Sequence, residues 1–258
     1  MYQNKRITAI IPARDEAQAI KKVINGLWSL KGAKGINIID DIVVCDNGSI
    51  DKTAKISHAA GAHVVAQPRP GYGIACLTAL SETKNTDILL FIDGDNAFRA
   101  HQAIPLIDSI AKGADLSIGS RKLGSIEKHA LTVPQRFGNC LASRLIRLLW
   151  GVTVTDLGPF RAVSQEALQR LVMEDETYGW TIEMQIKAIQ LGMVIEELPV
   201  DTYRRLGQSK ISGTVKGTIG AGIGILSMIA VLRWRQFIQS AKHVNYPAST
   251  ETHTVQLK

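Results

Sequence analysis

The sequence predicts an α/β fold, a mostly parallel β-sheet with helices on both faces. Three observations carry that expectation. Short runs rich in Ile, Val and Leu recur through the first half of the chain, and each is followed by a stretch with helical spacing. The runs are apolar throughout rather than alternating, as in strands buried on both faces. At 258 residues the chain can bury a substantial core as one large domain or two small ones.

The elements follow in order. ITAII (7–11) reads as a strand and the segment 16–30 as a helix. DIVVCD (41–46) is a second strand, followed by a helix over 51–60. HVVAQ (63–67) is a third strand, with a helix over 73–84 after it. ILLFID (88–93) leads to a helix over 100–112, and DLSIGS (115–120) is the fifth strand. The second half is less regular. PQRFGNCLASRLIRLLW (134–150) is a basic amphipathic helix, FRAVS (160–164) a short strand and TIEMQIKAIQLG (181–192) a helix ending at Gly192. VIEELPVDTY (194–203) reads as an edge strand, because Pro199 has no N–H to give a neighbour on both sides.

Composition narrows the function classes. An aromatic share of 5% offers no stacking platform for single-stranded nucleic acid. The formal net charge of +7 favours anionic partners, among them nucleotide phosphates and acidic membrane surfaces. Cys45, Cys76 and Cys140 are isolated, which fits neither a disulfide framework nor a zinc site and suits a reducing cytosol. His58, His63, His101 and His129 lack metal-ligand spacing, and the N-terminal apolar run is too short for a signal peptide.

Ligands on such sheets gather at the carboxyl ends of the strands. Three polar clusters fall there: PARDE (12–16), DNGSID (46–51) and DGDN (93–96). In DGDN, strand alternation would send Asp93 and Asp95 to one side, where both can meet a single cation. Gly94 would let the backbone turn tightly and approach a ligand. Hard carboxylate oxygens suit Mg2+ or Mn2+, with substrate phosphates completing the shell. Taken alone, the same spacing fits a solvated turn equally well. In DNGSID, Asn47-Gly48 marks a turn, Ser49 or Asp51 caps a helix, and Asp46 is an acceptor for a nucleobase edge or ribose. In PARDE, Arg14 is set for a diphosphate and Glu16 opens a helix.

Taken together, PARDEA (12–17), VVCDNGSIDKT (43–53), PGYGIACLTAL (70–80), FIDGDN (91–96) and IGSR (118–121) resemble glycosyltransferase family 2 on a GT-A fold. The likeness is strongest to the dolichyl- or polyprenyl-phosphate sugar synthases. It continues through DLGPFRAV (156–163), YGWTIEMQIKA (178–188) and PVDTYRRLGQSK (199–210), so it covers nearly all of residues 5–235. The resemblance implies inverting, metal-dependent transfer of a sugar from a UDP- or GDP-linked donor to a polyprenyl phosphate. It implies that Pro12, Arg14 and Glu16 line the nucleotide site and that Asp46 contacts the base. Asp93 and Asp95 would hold Mg2+ or Mn2+ against the diphosphate. Arg121, Arg136, Arg204 and Lys210 would be the cations for donor diphosphate and acceptor phosphate. Asp156 either orders the acceptor loop or pairs with Arg161. Asp156 or Glu183 would be the general base if the acceptor were a hydroxyl. Two departures from the usual pattern, Asn47 in place of a second Asp and Asp15 in place of Asn, leave the nucleotide base open.

Residues 217–232, GTIGAGIGILSMIAVL, are uncharged but shorter than the roughly 20 residues that span a bilayer. Gly220-x-x-x-Gly224 permits close approach of another helix. Arg233, Trp234 and Arg235 suit a headgroup layer. The expectation is a catalytic domain over 1–210 and a C-terminal apolar helix within 211–240, at the membrane interface or packed on the core. A disordered tail follows over 241–258. The protein is thereby expected in the cytoplasm, peripheral on the inner membrane face, with no nucleic-acid partner. Two alternatives stand beside this: a soluble or glycan hydroxyl acceptor, and a non-catalytic nucleotide-binding domain. The sequence does not give the oligomeric state.

Overall fold

The computed structural model describes residues 1–207 and 215–244. Seven strands form one sheet: β1 (Ile7–Ala13), β2 (Asp41–Asp46), β3 (His63–Ala66), β4 (Ile88–Phe91), β5 (Leu116–Ser120), β6 (Arg161–Ser164) and β7 (Ile195–Pro199). Their order is β3-β2-β1-β4-β6-β5-β7, parallel except for β6, which runs antiparallel to both neighbours. The helices are α1 (Ile20–Trp28), α2 (Thr53–Ala59), α3 (Tyr72–Ser81), α4 (Ala103–Ala111), α5 (Val133–Trp150), α6 (Gln165–Leu171), α7 (Trp180–Gln190) and α8 (Val215–Val244).

The unbroken apolar character of β1 has its explanation in two cores. Ile7, Ala9, Ile11 and Ala13 pack on one face with Ile20, Ile24 and Leu27 of α1 and Leu106 and Ile107 of α4. Ile10 points the other way, into a cluster with Ala75 and Ala79 of α3 and Trp180 and Met184 of α7. With a period of two and both faces covered, every residue of β1 is buried. β7 is an edge strand, paired only with β5, as Pro199 requires.

A third cluster lies off the sheet, where Ala142 and Ile146 of α5 meet Ile182 and Ile186 of α7 and Ile229 and Leu232 of α8. One stripe of α8 is therefore packed on the protein, while Ile223, Trp234 and Phe237 are exposed. No described helix is long and apolar enough to cross a membrane.

Several boundaries differ from expectation. β4 ends at Phe91, so Asp93 and Asp95 project from the turn beyond it and not from the strand itself. α1 starts at Ile20, because residues 14–17 are tied to the loop after β2. α6 was not anticipated; its seven residues are too few for a clear period, and its signal is Ser164, whose Oγ accepts the Ala167 N–H at 3.1 Å. α8 reaches Val244, beyond the expected start of the tail, and residues 245–258 lie outside the described residues.

The chain leaves the sheet at Ser120 and returns at Arg161, and both points lie on the edge that carries the polar clusters. Gly119 N–H donates to Phe160 O at 2.9 Å, closing the base of this excursion, which contains α5.

Candidate active site

The connections from β1 and β4 lead away in opposite directions across the sheet, opening a crevice between their carboxyl ends. A cleft of about 500 Å3 lies there. Pro12 at the end of β1 and Arg14 and Glu16 just beyond it line the cleft, as do Asp93 and Asp95 from beyond β4 and Arg121 from beyond β5.

Two loops form one wall of the cleft by gripping each other. Ser49 Oγ accepts the Asp15 N–H at 2.9 Å, Thr53 Oγ1 accepts that of Glu16 at 2.8 Å, and Asp15 Oδ1 accepts that of Ile50 at 2.8 Å. Ser49 thus staples the PARDE loop and does not cap a helix, while Asp51 Oδ1 takes the Thr53 N–H at the start of α2. Asn47 ties the wall to the next loop, with Nδ2 donating to Gln67 O and Arg69 O and Oδ1 accepting from Gly71 N–H. Asp46 ends β2 beside it, and its Oδ1 is buried without a hydrogen-bond partner.

The floor is the carboxylate pair. Asp93 Oδ1 accepts from Tyr72 Oη at 3.2 Å. Asp95 Oδ1 accepts the Ala97 N–H at 2.8 Å, and its Oδ2 is ion-paired with Arg205. Burial, then the charge of Asp95, pushes the Asp93 carboxyl up to about 7, against the opposing pull of Arg205, Tyr72 and Arg121. Gly94 between them packs closely, since a Cβ there would stand 3.0 Å from Ile20 Cδ1.

Tyr72 is held by a segment absent from the sequence reading of the site. Residues 172–178 run across the start of α3, where Thr177 O and Glu176 O accept the N–H groups of Gly73 and Ile74. A Cβ on Gly73 would fall 2.0 Å from Asp175 O, so only glycine permits this crossing. Glu183 anchors the segment. Its buried carboxylate accepts the N–H groups of Glu174 and Asp175 and pairs with Lys187 at 2.7 Å.

The sequence-selected cations separate. Arg121 lies in the cleft, held by Asp156 through its Nε at 2.7 Å and Nη2 at 2.6 Å, and its backbone N–H donates to the same carboxylate. Asp156 is buried and pairs with Arg121, not with Arg161. Arg161, wholly buried, donates instead to Gly158 O and Thr181 O, and burial lowers it to about 10. Arg204 is exposed and outside the cleft, its N–H donating to Glu127; the next residue, Arg205, is the one inside. Lys210 lies outside the described residues. Arg136 lines a second cleft, of about 640 Å3, which shares Arg121, Leu131 and Gln135 with the first. Thr202, also missed, lines the first cleft with a buried, unpartnered Oγ1.

The donor set fits a divalent cation that also binds a ligand. Asp93 and Asp95 supply hard oxygens at one place, and among the described residues no group of three or more metal-binding side chains surrounds any point. Residues 8–172 match the model of glycosyl transferase family 2. The chain belongs to that family. A dolichyl-phosphate hexose transferase of Haloferax volcanii is 32% identical over 86% of this chain and 94% of its own. An uncharacterized glycosyltransferase of Mycobacterium tuberculosis is 30% identical over 87% of this chain and 98% of its own. Among solved structures, glucosyl-3-phosphoglycerate synthase from M. tuberculosis, in complex with Mn2+, UDP and glucosyl-3-phosphoglycerate, superposes with a TM-score of 0.68. It is 22% identical, over 88% of this chain and 81% of that one. This family 2 glycosyltransferase therefore has the GT-A fold, with its polar clusters along the carboxyl edge of the sheet.

Proposed function

We propose that this glycosyltransferase moves a sugar, with inversion, from a nucleoside diphosphate to a polyprenyl phosphate at a membrane surface. The observation that carries the acceptor assignment is the fate of the two candidate bases. Asp156, which lines the second cleft, is spent on Arg121, and Glu183 on the 172–178 segment; neither lines the first cleft. A hydroxyl acceptor needs a base to take its proton, whereas a phosphate is already an anion near neutral pH. Arg136, which lines the second cleft together with Arg121, supports an anionic acceptor as well. The similarity to a dolichyl-phosphate hexose transferase points the same way.

In this reading Pro12, Arg14 and Glu16 seat the nucleotide, and Asp46, which ends β2 beside the cleft-lining Asn47 but does not itself line the cleft, stands nearest the base or ribose. Asp93 and Asp95 would hold Mg2+ or Mn2+, which when bound offsets the charge developing on the departing diphosphate. Arg14 and Arg205 share that task from the protein side. Arg121, fixed by Asp156, stands at the junction of the two clefts, and with Arg136 it holds the acceptor phosphate against the repulsion of the donor phosphates. The exposed apolar stripe of α8 supports placement at the membrane surface. A soluble phosphorylated acceptor is the second reading, favoured by the likeness to a phosphoglycerate-glycosylating structure.

The deciding measurement is a screen of UDP- and GDP-sugars with Mn2+ or Mg2+ and either a short-chain polyprenyl phosphate or 3-phosphoglycerate. Lipid-linked product is expected, with the Asp93→Asn, Asp95→Asn double variant at least ~10²-fold slower. Product on 3-phosphoglycerate alone would overturn the acceptor assignment.

A further inference from the structure

The second cleft holds more cations than one acceptor phosphate uses. Arg121, shared with the first cleft, and Arg136 line it, and so do Lys122, Arg144 and Arg147. Its single carboxylate is Asp156, already taken by Arg121. Among the described residues no acidic partner meets Lys122, Arg136, Arg144 or Arg147, and α5 itself contains neither Asp nor Glu. Arg136, Cys140, Ser143, Arg144 and Arg147 recur at helical spacing along one face, about 16 Å from the first arginine to the last. Arg147 gains from the carboxyl end of the helix dipole, but Arg144 lies nearer the like charge of Arg147 than that end. Ser143 Oγ, buried beneath them, has no hydrogen-bond partner.

Large apolar side chains flank this face. Phe137 and Leu148 of α5 are 67% and 79% exposed. The end of α5 is joined to α8, with Trp150 Nε1 donating to Gln236 Oε1 at 2.8 Å and Arg233 lying over the Trp150 ring. Next to that joint on α8, Trp234 and Phe237 stack on each other and are also exposed. Unpaired guanidinium groups among exposed aromatic and leucine side chains match the chemistry of a lipid headgroup layer, with phosphates at the surface and acyl chains just beneath. A free phosphate would account for the cations and leave the aromatics unexplained.

We propose that Lys122, Arg144 and Arg147 dock the protein on the headgroups of an anionic phospholipid bilayer, with Phe137, Leu148, Trp234 and Phe237 entering the interface around them. This deepens the reading of a lipid-phosphate acceptor and rests on it for the orientation of the cleft. The membrane would meet α5 and α8 together, and the acceptor phosphate would pass from the bilayer along α5 to Arg136 and Arg121.

Co-sedimentation of the full chain with vesicles tests this directly. The probes are phosphatidylcholine alone and phosphatidylcholine with phosphatidylglycerol. Binding is expected to the anionic vesicles, weakening as salt rises. The Arg144→Gln, Arg147→Gln variant should partition about 30-fold less. A Lys21→Gln, Lys22→Gln control, losing the same charge from exposed positions on α1, should bind as the parent does. Transfer to a short-chain polyprenyl phosphate in detergent should be unchanged in both variants. Equal binding to the two vesicle types, or equal losses in the two variants, would overturn the proposal. A matching loss of detergent transfer in the α5 variant would make the outer cleft an acceptor subsite and overturn it too. If no lipid product forms with any protein, the acceptor reading fails while the vesicle result still stands or falls separately.

Discussion

Asp95 already has a cation beside it. Arg205 is paired to the Oδ2 oxygen that a divalent ion would use, so the ion and the guanidinium compete for one carboxylate. The Arg205→Ala variant should therefore bind Mn2+ alone about tenfold more tightly, the equivalent of roughly 1.4 kcal/mol. Its turnover should fall, because the guanidinium proposed to serve the diphosphate is gone. Electron paramagnetic resonance titration of Mn2+ without nucleotide measures the first effect, and an unchanged or weaker affinity would refute the competition. The sequence reading placed this cation one residue early, at Arg204. Residues 203–207 are neither helix nor strand, so no periodicity says which of two adjacent arginines turns inward. Contacts decide it: Tyr203 N–H donates to Ala97 O and Leu206 N–H to Asp95 O, which binds the segment along the carboxylate turn. Tyr72 was hidden for a different reason. It lay inside a motif that had been singled out, but its hydrogen bond to Asp93 spans two loops distant in sequence.

At the scale of elements, α7 was legible as a helix but its purpose was not. A carboxylate at Glu183 reads as a candidate base, yet the helix buries it against the 172–178 segment, where it replaces missing partners for two N–H groups. Glu183→Gln should cost roughly 1.5–3 kcal/mol of stability, the range for hydrogen bonds to a charged group, measured by urea unfolding. Its kcat/KM should drop by no more than about tenfold. Loss of a true general base costs about 10²–10⁴-fold, so a drop of that size would restore Glu183 to the chemistry. Gly73→Ala probes the other side of the same crossing. The added Cβ meets backbone, which cannot swing aside, and a loss of about 1–3 kcal/mol is expected together with a weaker grip on Tyr72. A variant as stable as the parent would show that residues 172–178 yield easily. The parallel strands were readable because burial on two faces leaves an unbroken apolar run. The antiparallel insertion of β6 was not, since four residues carry no mark of strand direction.

For the whole molecule, the charge pattern links fold stability to the site. Asp93 is a carboxyl whose folded value is raised to about 7, well above the unfolded one. Between about pH 4 and 7 the folded protein then holds a proton that the unfolded chain has released, so stability falls as pH rises through that window. Asp93→Asn removes this cost. Without metal it should raise the Tm at pH 7.5 by a few degrees, about 2–4 °C for each kcal/mol relieved, and have no such effect at pH 4. Calorimetry at the two pH values checks both, and an equal gain at each would point to packing instead. The overall class, the edge of the sheet carrying the site and the basic character of α5 were all present in the sequence. The second cleft was not, because its walls come from the 121–126 and 153–156 loops as well as from one helix face.

The long excursion between Ser120 and Arg161 makes this architecture modular. The groups proposed to hold the donor sit at the β1, β2 and β4 ends, whereas Arg121 and α5 sit within a segment that departs and rejoins at adjacent points of the sheet. Such a segment can lengthen, shorten or be exchanged without disturbing strand register. If the proposed roles hold, a graft of residues 121–160 between relatives should change what receives the sugar and leave the donor preference as it was.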